Sequence, residues 1–82
     1  MTDSERFDDA MRSVLVLPAD MDLSGVAYGE TEMWDSVAHM QLVLAVEEVF
    51  GITLDPDDVV DMSSYASAKR VLRDRHGLAL DG

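Results

Sequence analysis

Asp35-Ser36-Val37-Ala38-His39-Met40-Gln41-Leu42-Val43-Leu44-Ala45-Val46-Glu47-Glu48-Val49-Phe50-Gly51 is the stretch on which the fold turns. It opens on two residues that start helices well, runs to Phe50 without Gly or Pro, and closes on a glycine suited to a left-handed cap. At about 100° per residue its side chains sort into two stripes. Leu42, Val46 and Phe50, flanked by Val43 and Val49, form the expected core face. Ser36, Met40, Leu44 and Glu47 form a second stripe, bordered by Val37, Gln41 and Glu48. A helix buried nearly all round would also show two apolar faces. An exposed apolar stripe rimmed by acids and headed by a serine is instead a docking surface with a modifiable group at one end.

Working outward, the spacing predicts a first helix from about Asp3 to Leu17. Thr2 and Glu5 have the spacing of a capping box, Phe7, Met11, Val14 and Leu15 form its apolar stripe, and Pro18 stops it. From Pro18 to Trp34 there is neither alternation nor helical period. A connection that long needs pins to the core, for which Met21, Leu23, Val26 and Tyr28 are the candidates. Downstream of the central helix, a short element is expected from Pro56 to Asp61. A last helix should start at Ser63 or Ser64 and reach His76, with Tyr65, Ala68, Val71 and Leu72 inward and Gly77 as its cap. Leu78–Gly82 reads as a frayed tail. The fold class is therefore all-α, a small four-helix bundle of three main helices and one short one, with a long loop between the first two.

Composition narrows the function. The chain has 82 residues, 48% hydrophobic and no cysteine. One domain over residues 1–82 follows, with a single small core and no disulfide, thiolate metal site or cysteine nucleophile. The acidic start from Met1 to Asp9 predicts no secretory signal, and the longest apolar run, Leu42–Val46, is too short to span a membrane. A cytoplasmic protein is expected, and nothing demands an oligomer, so a monomer is too. Net charge is −11, from 6 basic and 17 acidic side chains. That sign opposes nucleic acid and anionic membrane and favours basic partners. From Ser13 to Ala68 no Lys or Arg occurs, while Asp20, Asp22, Glu30, Glu32, Asp35, Glu47, Glu48, Asp55, Asp57, Asp58 and Asp61 all fall in that span. Such a distribution raises self-repulsion and points to a docking face for positively charged proteins.

Two chemistries are set aside. Ser36 and His39 are one helical turn apart, but no third orienting group or nucleophile-elbow glycines accompany them as a hydrolase requires. His39 falls beside the core stripe, where a half-buried, hydrogen-bonded imidazole is expected. An EF-hand starting at Asp55 would place Val60 at the turn glycine and Ala66 at the closing glutamate, so that loop fails.

With those residues in view, the chain resembles the acyl carrier protein family. The likeness rests on Asp35-Ser36-Val37, on the run Leu42 to Ile52 with Glu47-Glu48-Val49-Phe50-Gly51 at its centre, and on Leu54, Asp57-Asp58 and Met62-Ser63-Ser64-Tyr65 beyond it. It extends over the whole chain in helix order and loop length. The resemblance implies that Ser36 carries a 4'-phosphopantetheine arm, installed from coenzyme A by a separate phosphopantetheinyl transferase that Asp35 helps to bind. It implies that Val37, Met40, Leu44, Glu47, Glu48, Asp57, Asp58 and Asp61 form the recognition surface for acyl-loading and acyl-processing enzymes. The chain itself would be a non-catalytic carrier. Gln41, where fatty-acid carriers often place an acid, together with Trp34 and His39, suggests a specialised, polyketide-like pathway. His39, on the inward side of the helix one turn from Ser36, would set a polar nitrogen against a buried alkyl chain, so small or polar cargo is expected. The rival expectation is an acidic helical interaction module without a prosthetic group.

Overall fold

Short polar side chains decide where each helix begins. The computed structural model describes residues 2–80, and in it four helices follow in order: α1 (Asp3–Leu15), α2 (Ser36–Phe50), α3 (Pro56–Asp61) and α4 (Tyr65–His76). Thr2 accepts from the Glu5 N–H at 3.1 Å while the Glu5 carboxylate accepts from the Thr2 N–H, closing the expected capping box. Asp35 accepts from the Ala38 N–H at 2.9 Å and so makes Ser36 the first residue of α2. Asp55 with Asp58, and Ser64 with Ser67, cap α3 and α4 in the same reciprocal way. No strand forms among the described residues, and the all-α bundle stands.

One boundary moves. α1 stops at Leu15, two residues short of the expected Leu17, because Val16 turns left-handed with φ 55°. Its N–H and that of Leu17 both reach back to the Arg12 carbonyl. Pro18 disfavours helical backbone at Leu17, so the helix ends before that residue. A β-branched residue in the left-handed region is strained by about 1–3 kcal/mol.

The core is built from Phe7, Met11 and Leu15 of α1, Ala38, Leu42, Val43 and Val46 of α2, and Ala68, Val71 and Leu72 of α4, with Leu54 and Met62 from the connections. Val49 departs from the expected core face. It lies in the last turn of α2, past Val46, and is 41% exposed. The long connection is pinned by Leu23, Val26 and Trp34, all buried. Tyr28 is not a pin but sits half exposed, and Met21 is half-buried against the core. Backbone bonds between the connection and the start of α4, Tyr28 N–H to Ser63 O at 2.8 Å and Tyr65 N–H to Val26 O at 2.9 Å, hold it as ordered structure.

The expected frayed tail is also corrected as far as Leu80; Asp81 and Gly82 lie outside the described residues. Leu80 is buried, Leu78 packs on the core, and the Ala79 N–H donates to the Asp3 carboxylate at 3.0 Å. Leu80→Ala is expected to lower stability by about 2–4 kcal/mol, read as a drop in the urea midpoint. A frayed tail would leave that midpoint unchanged. Among the described residues, no helix is long and apolar enough to cross a membrane.

Candidate functional site

Ser36 is exposed at the first residue of α2, and its hydroxyl has no hydrogen-bond partner among the described residues. First-turn N–H groups of a helix have no intrahelical acceptor. Asp35 takes that of Ala38, which leaves those of Ser36 and Val37 open beside the hydroxyl. The second stripe of α2 faces outward as read from the sequence: Val37 is 66%, Met40 52% and Leu44 62% exposed.

Beside Ser36 a groove of about 330 Å³ opens between α2 and α3, lined by Tyr28, Ser36, His39, Met40, Val59, Val60 and Ser63. A second groove of about 450 Å³ shares Met40, Val59 and Val60 and runs on to Glu47 and Leu54. At the inner side of the first lies His39. Its Nδ1 accepts from the Trp34 indole N–H at 2.9 Å, and its Nε2 meets the Val59 carbonyl at 2.8 Å. Trp34 stacks near the imidazole at 5.9 Å and Tyr28 meets it edge-on at 5.4 Å. The expected half-buried, hydrogen-bonded histidine is thus found. Both ring nitrogens are engaged, so neither is free to act as a base for Ser36.

The acids divide into two groups. Glu48 and Asp57 are exposed, with no ion pair among the described residues. Glu47, Asp58 and Asp61 have structural partners, contrary to an open recognition surface made of all five. Glu47 is half-buried, and its carboxylate accepts from the Leu54 N–H at 2.8 Å, fixing the turn after α2. Asp58 is 3% exposed and accepts from Arg75 Nη1 at 2.9 Å and from His76 Nε2 at 2.8 Å, so it is closed to a partner. Asp61 is exposed but binds Arg75 Nη2 at 2.6 Å. The segment without basic residues therefore borrows Arg75 from α4. That guanidinium holds the Asp58 carboxyl below the usual aspartate value against the opposing effect of burial, with His76 and the Asp55 N–H adding to it.

This division separates two substitutions. Glu47→Lys is expected to cost about 1–3 kcal/mol by leaving the Leu54 N–H without its acceptor. Glu48→Lys should leave stability within about 0.5 kcal/mol and slow association with basic partners, an effect that salt erases. Melting curves and association rates at two ionic strengths distinguish them. Equal destabilisation by both would contradict the assignment.

Sequence reasoning placed Ser36, Met40, Leu44 and Glu47 on one outward stripe bordered by Val37; Ser36, Val37, Met40 and Leu44 are found exposed, whereas Glu47 is half-buried. It missed Tyr28, Val59, Val60 and Ser63 as groove residues. The adjacent bulky pair Val59-Val60 on a six-residue helix, too short to bury both, was the available signal. No protein-family model, curated protein or solved structure matches this chain.

Proposed function

We propose that the protein is an acyl carrier in which Ser36 accepts a 4'-phosphopantetheine arm from coenzyme A. One observation carries the reading: an exposed, unpartnered serine hydroxyl stands at the first residue of α2, heading an outward apolar stripe with Glu48 beside it. The residues fit the group. The Ser36 oxygen is free to form a new bond to phosphorus as the pyrophosphate link of coenzyme A breaks. Adenosine 3',5'-bisphosphate then leaves, and the seryl proton passes to the transferase. The open N–H groups of Ser36 and Val37, with the helix dipole behind them, favour the phosphate's negative charge. Asp35 holds the first turn in register and presents its second carboxylate oxygen to the transferase. Once attached, the arm supplies a thiol on a long tether, which raises the effective concentration of a thioester-bound acyl group at successive active sites.

Val37, Met40 and Leu44, with Glu48 and Asp57, form the surface that basic patches on partner enzymes meet. Charge steering with a small apolar area suits brief encounters. The carrier makes and breaks no bonds of the cargo itself. It acts as a cytoplasmic monomer in a specialised, polyketide-like pathway, a placement supported by Gln41, Trp34 and His39. The rival, an acidic interaction module without a prosthetic group, accounts for the charge and not for the bare serine at the head of the stripe. Intact mass after incubation with coenzyme A, magnesium and a broad-specificity transferase decides between them. A gain of one phosphopantetheine supports the carrier, and an unchanged mass supports the module.

A further inference from the structure

The groove beside Ser36 has an apolar lining but no apolar way inward. An indole nitrogen only donates, so His39 Nδ1 is the acceptor and the proton sits on Nε2, which donates to the Val59 carbonyl. Only this neutral tautomer satisfies both bonds. Together they tie three elements at one point: Trp34 from the long connection, His39 from α2 and Val59 from α3. The Trp34 side is shut, since that residue is 1% exposed. Val59 lies in the last four residues of α3, where a carbonyl lacks an intrahelical partner, so the imidazole also completes that helix. At the far end of the α2–α3 seam the Glu47 carboxylate holds the Leu54 N–H at 2.8 Å. The imidazole thus pins α2 to α3, and Glu47 pins the turn that leads into α3. An alkyl chain entering from Ser36 would have to displace the imidazole and leave a buried indole N–H and a helix-end carbonyl unpaired. Along the surface, by contrast, the Tyr28 and Ser63 hydroxyls have no partner among the described residues and belong to side chains that line the groove.

We infer that His39, held between Trp34 and Val59, is the residue that sets which acyl groups this carrier accepts. It closes the floor of the groove and restricts the cargo to short or oxygen-bearing acyl groups lying at the surface. This rests on the carrier reading of Ser36. Burial between the helices is thereby denied to a long unbranched chain, which is left to the open surface grooves. Trp34 and Val59 act through His39 as positioning residues.

The test uses holo protein loaded on Ser36 with acetyl, butyryl, octanoyl and dodecanoyl groups, each verified by intact mass. Melting temperature and the NMR signal of the Trp34 indole N–H are recorded, the chain having a single tryptophan. The expected result is a melting temperature and an indole signal that do not change with chain length. In His39→Leu, which removes both bonds and offers an apolar floor, the melting temperature should instead rise stepwise with each longer chain. A stepwise rise in the parent protein, with a moved indole signal, overturns the inference, and so does a His39→Leu series as flat as the parent's. Should His39→Leu fail to fold, the parent series and its indole signal decide alone. If Ser36 gains no mass, the carrier reading is what fails. The Ser36→Cys variant, carrying the same alkyl chains by disulfide on the only thiol of the chain, then puts the same question to the floor of the groove.

Discussion

Asp58→Ala is expected to destabilise the fold by about 2–4 kcal/mol and to lower the melting temperature by roughly 10–25 °C. The carboxylate is buried and accepts from Arg75 at 2.9 Å, from His76 at 2.8 Å and from the Asp55 N–H that starts α3. Hydrogen bonds to charged groups contribute about 1.5–3 kcal/mol each, and a broken buried pair costs about 3–5 kcal/mol. Arg75 is 45% exposed and regains water when released, which keeps the loss toward the lower part of that range. A domain of this size has roughly 4–12 kcal/mol in total, so the loss is a large share of it. The pH dependence follows from the direction of the shift. Because the folded carboxyl titrates below its unfolded value of about 3.9, its contribution is present above that pH and is lost as pH falls through the folded value. Stability curves of the parent and Asp58→Ala proteins should therefore converge below about pH 4. Parallel curves over that range would show that Asp58 does not link α3 to α4.

Ser36→Ala has the opposite profile. Loading with phosphopantetheine should vanish, while folding stability stays within about 0.5 kcal/mol of the parent. Asp35, not Ser36, supplies the cap of α2, and the Ser36 hydroxyl has no partner to lose. Mass spectrometry and a thermal melt on the same sample measure both. Residual loading would place the modified residue elsewhere, and a large drop in melting temperature would give Ser36 a structural role that its exposure does not suggest.

The helices were legible because their punctuation is local. Thr2, Asp35, Pro56, Ser64, Gly51 and Gly77 act on backbone within a few residues of themselves, and each terminates or starts a helix where expected. The end of α1 at Leu15 was not legible, because the left-handed turn falls on Val16, a residue type that rarely adopts it. The outward stripe of α2 was legible from angular spacing alone. What spacing could not reveal was pairing between distant segments. Trp34 and His39 are five residues apart, yet their bond depends on how the connection folds back over α2. Asp58 looked like one more surface acid because its partners, Arg75 and His76, arrive from α4, 17 and 18 residues later. Leu80 looked like tail because its contacts lie in a core that the sequence does not draw.

Electrostatics show the same division between local and distant information. A count of acids and bases along the chain suggests eleven uncompensated charges from Asp20 to Asp61. Folding brings Arg75 against two of them, Asp58 and Asp61, and leaves the other nine without an ion pair among the described residues.

Site-resolved mass spectrometry of the protein after treatment with coenzyme A and transferase tests the carrier function most directly. The chain contains seven serines: Ser4, Ser13, Ser24, Ser36, Ser63, Ser64 and Ser67. A carrier of the kind proposed bears one phosphopantetheine, on the fragment containing Ser36 and on no other. A protein that stays unmodified, or one modified on any fragment lacking Ser36, contradicts it.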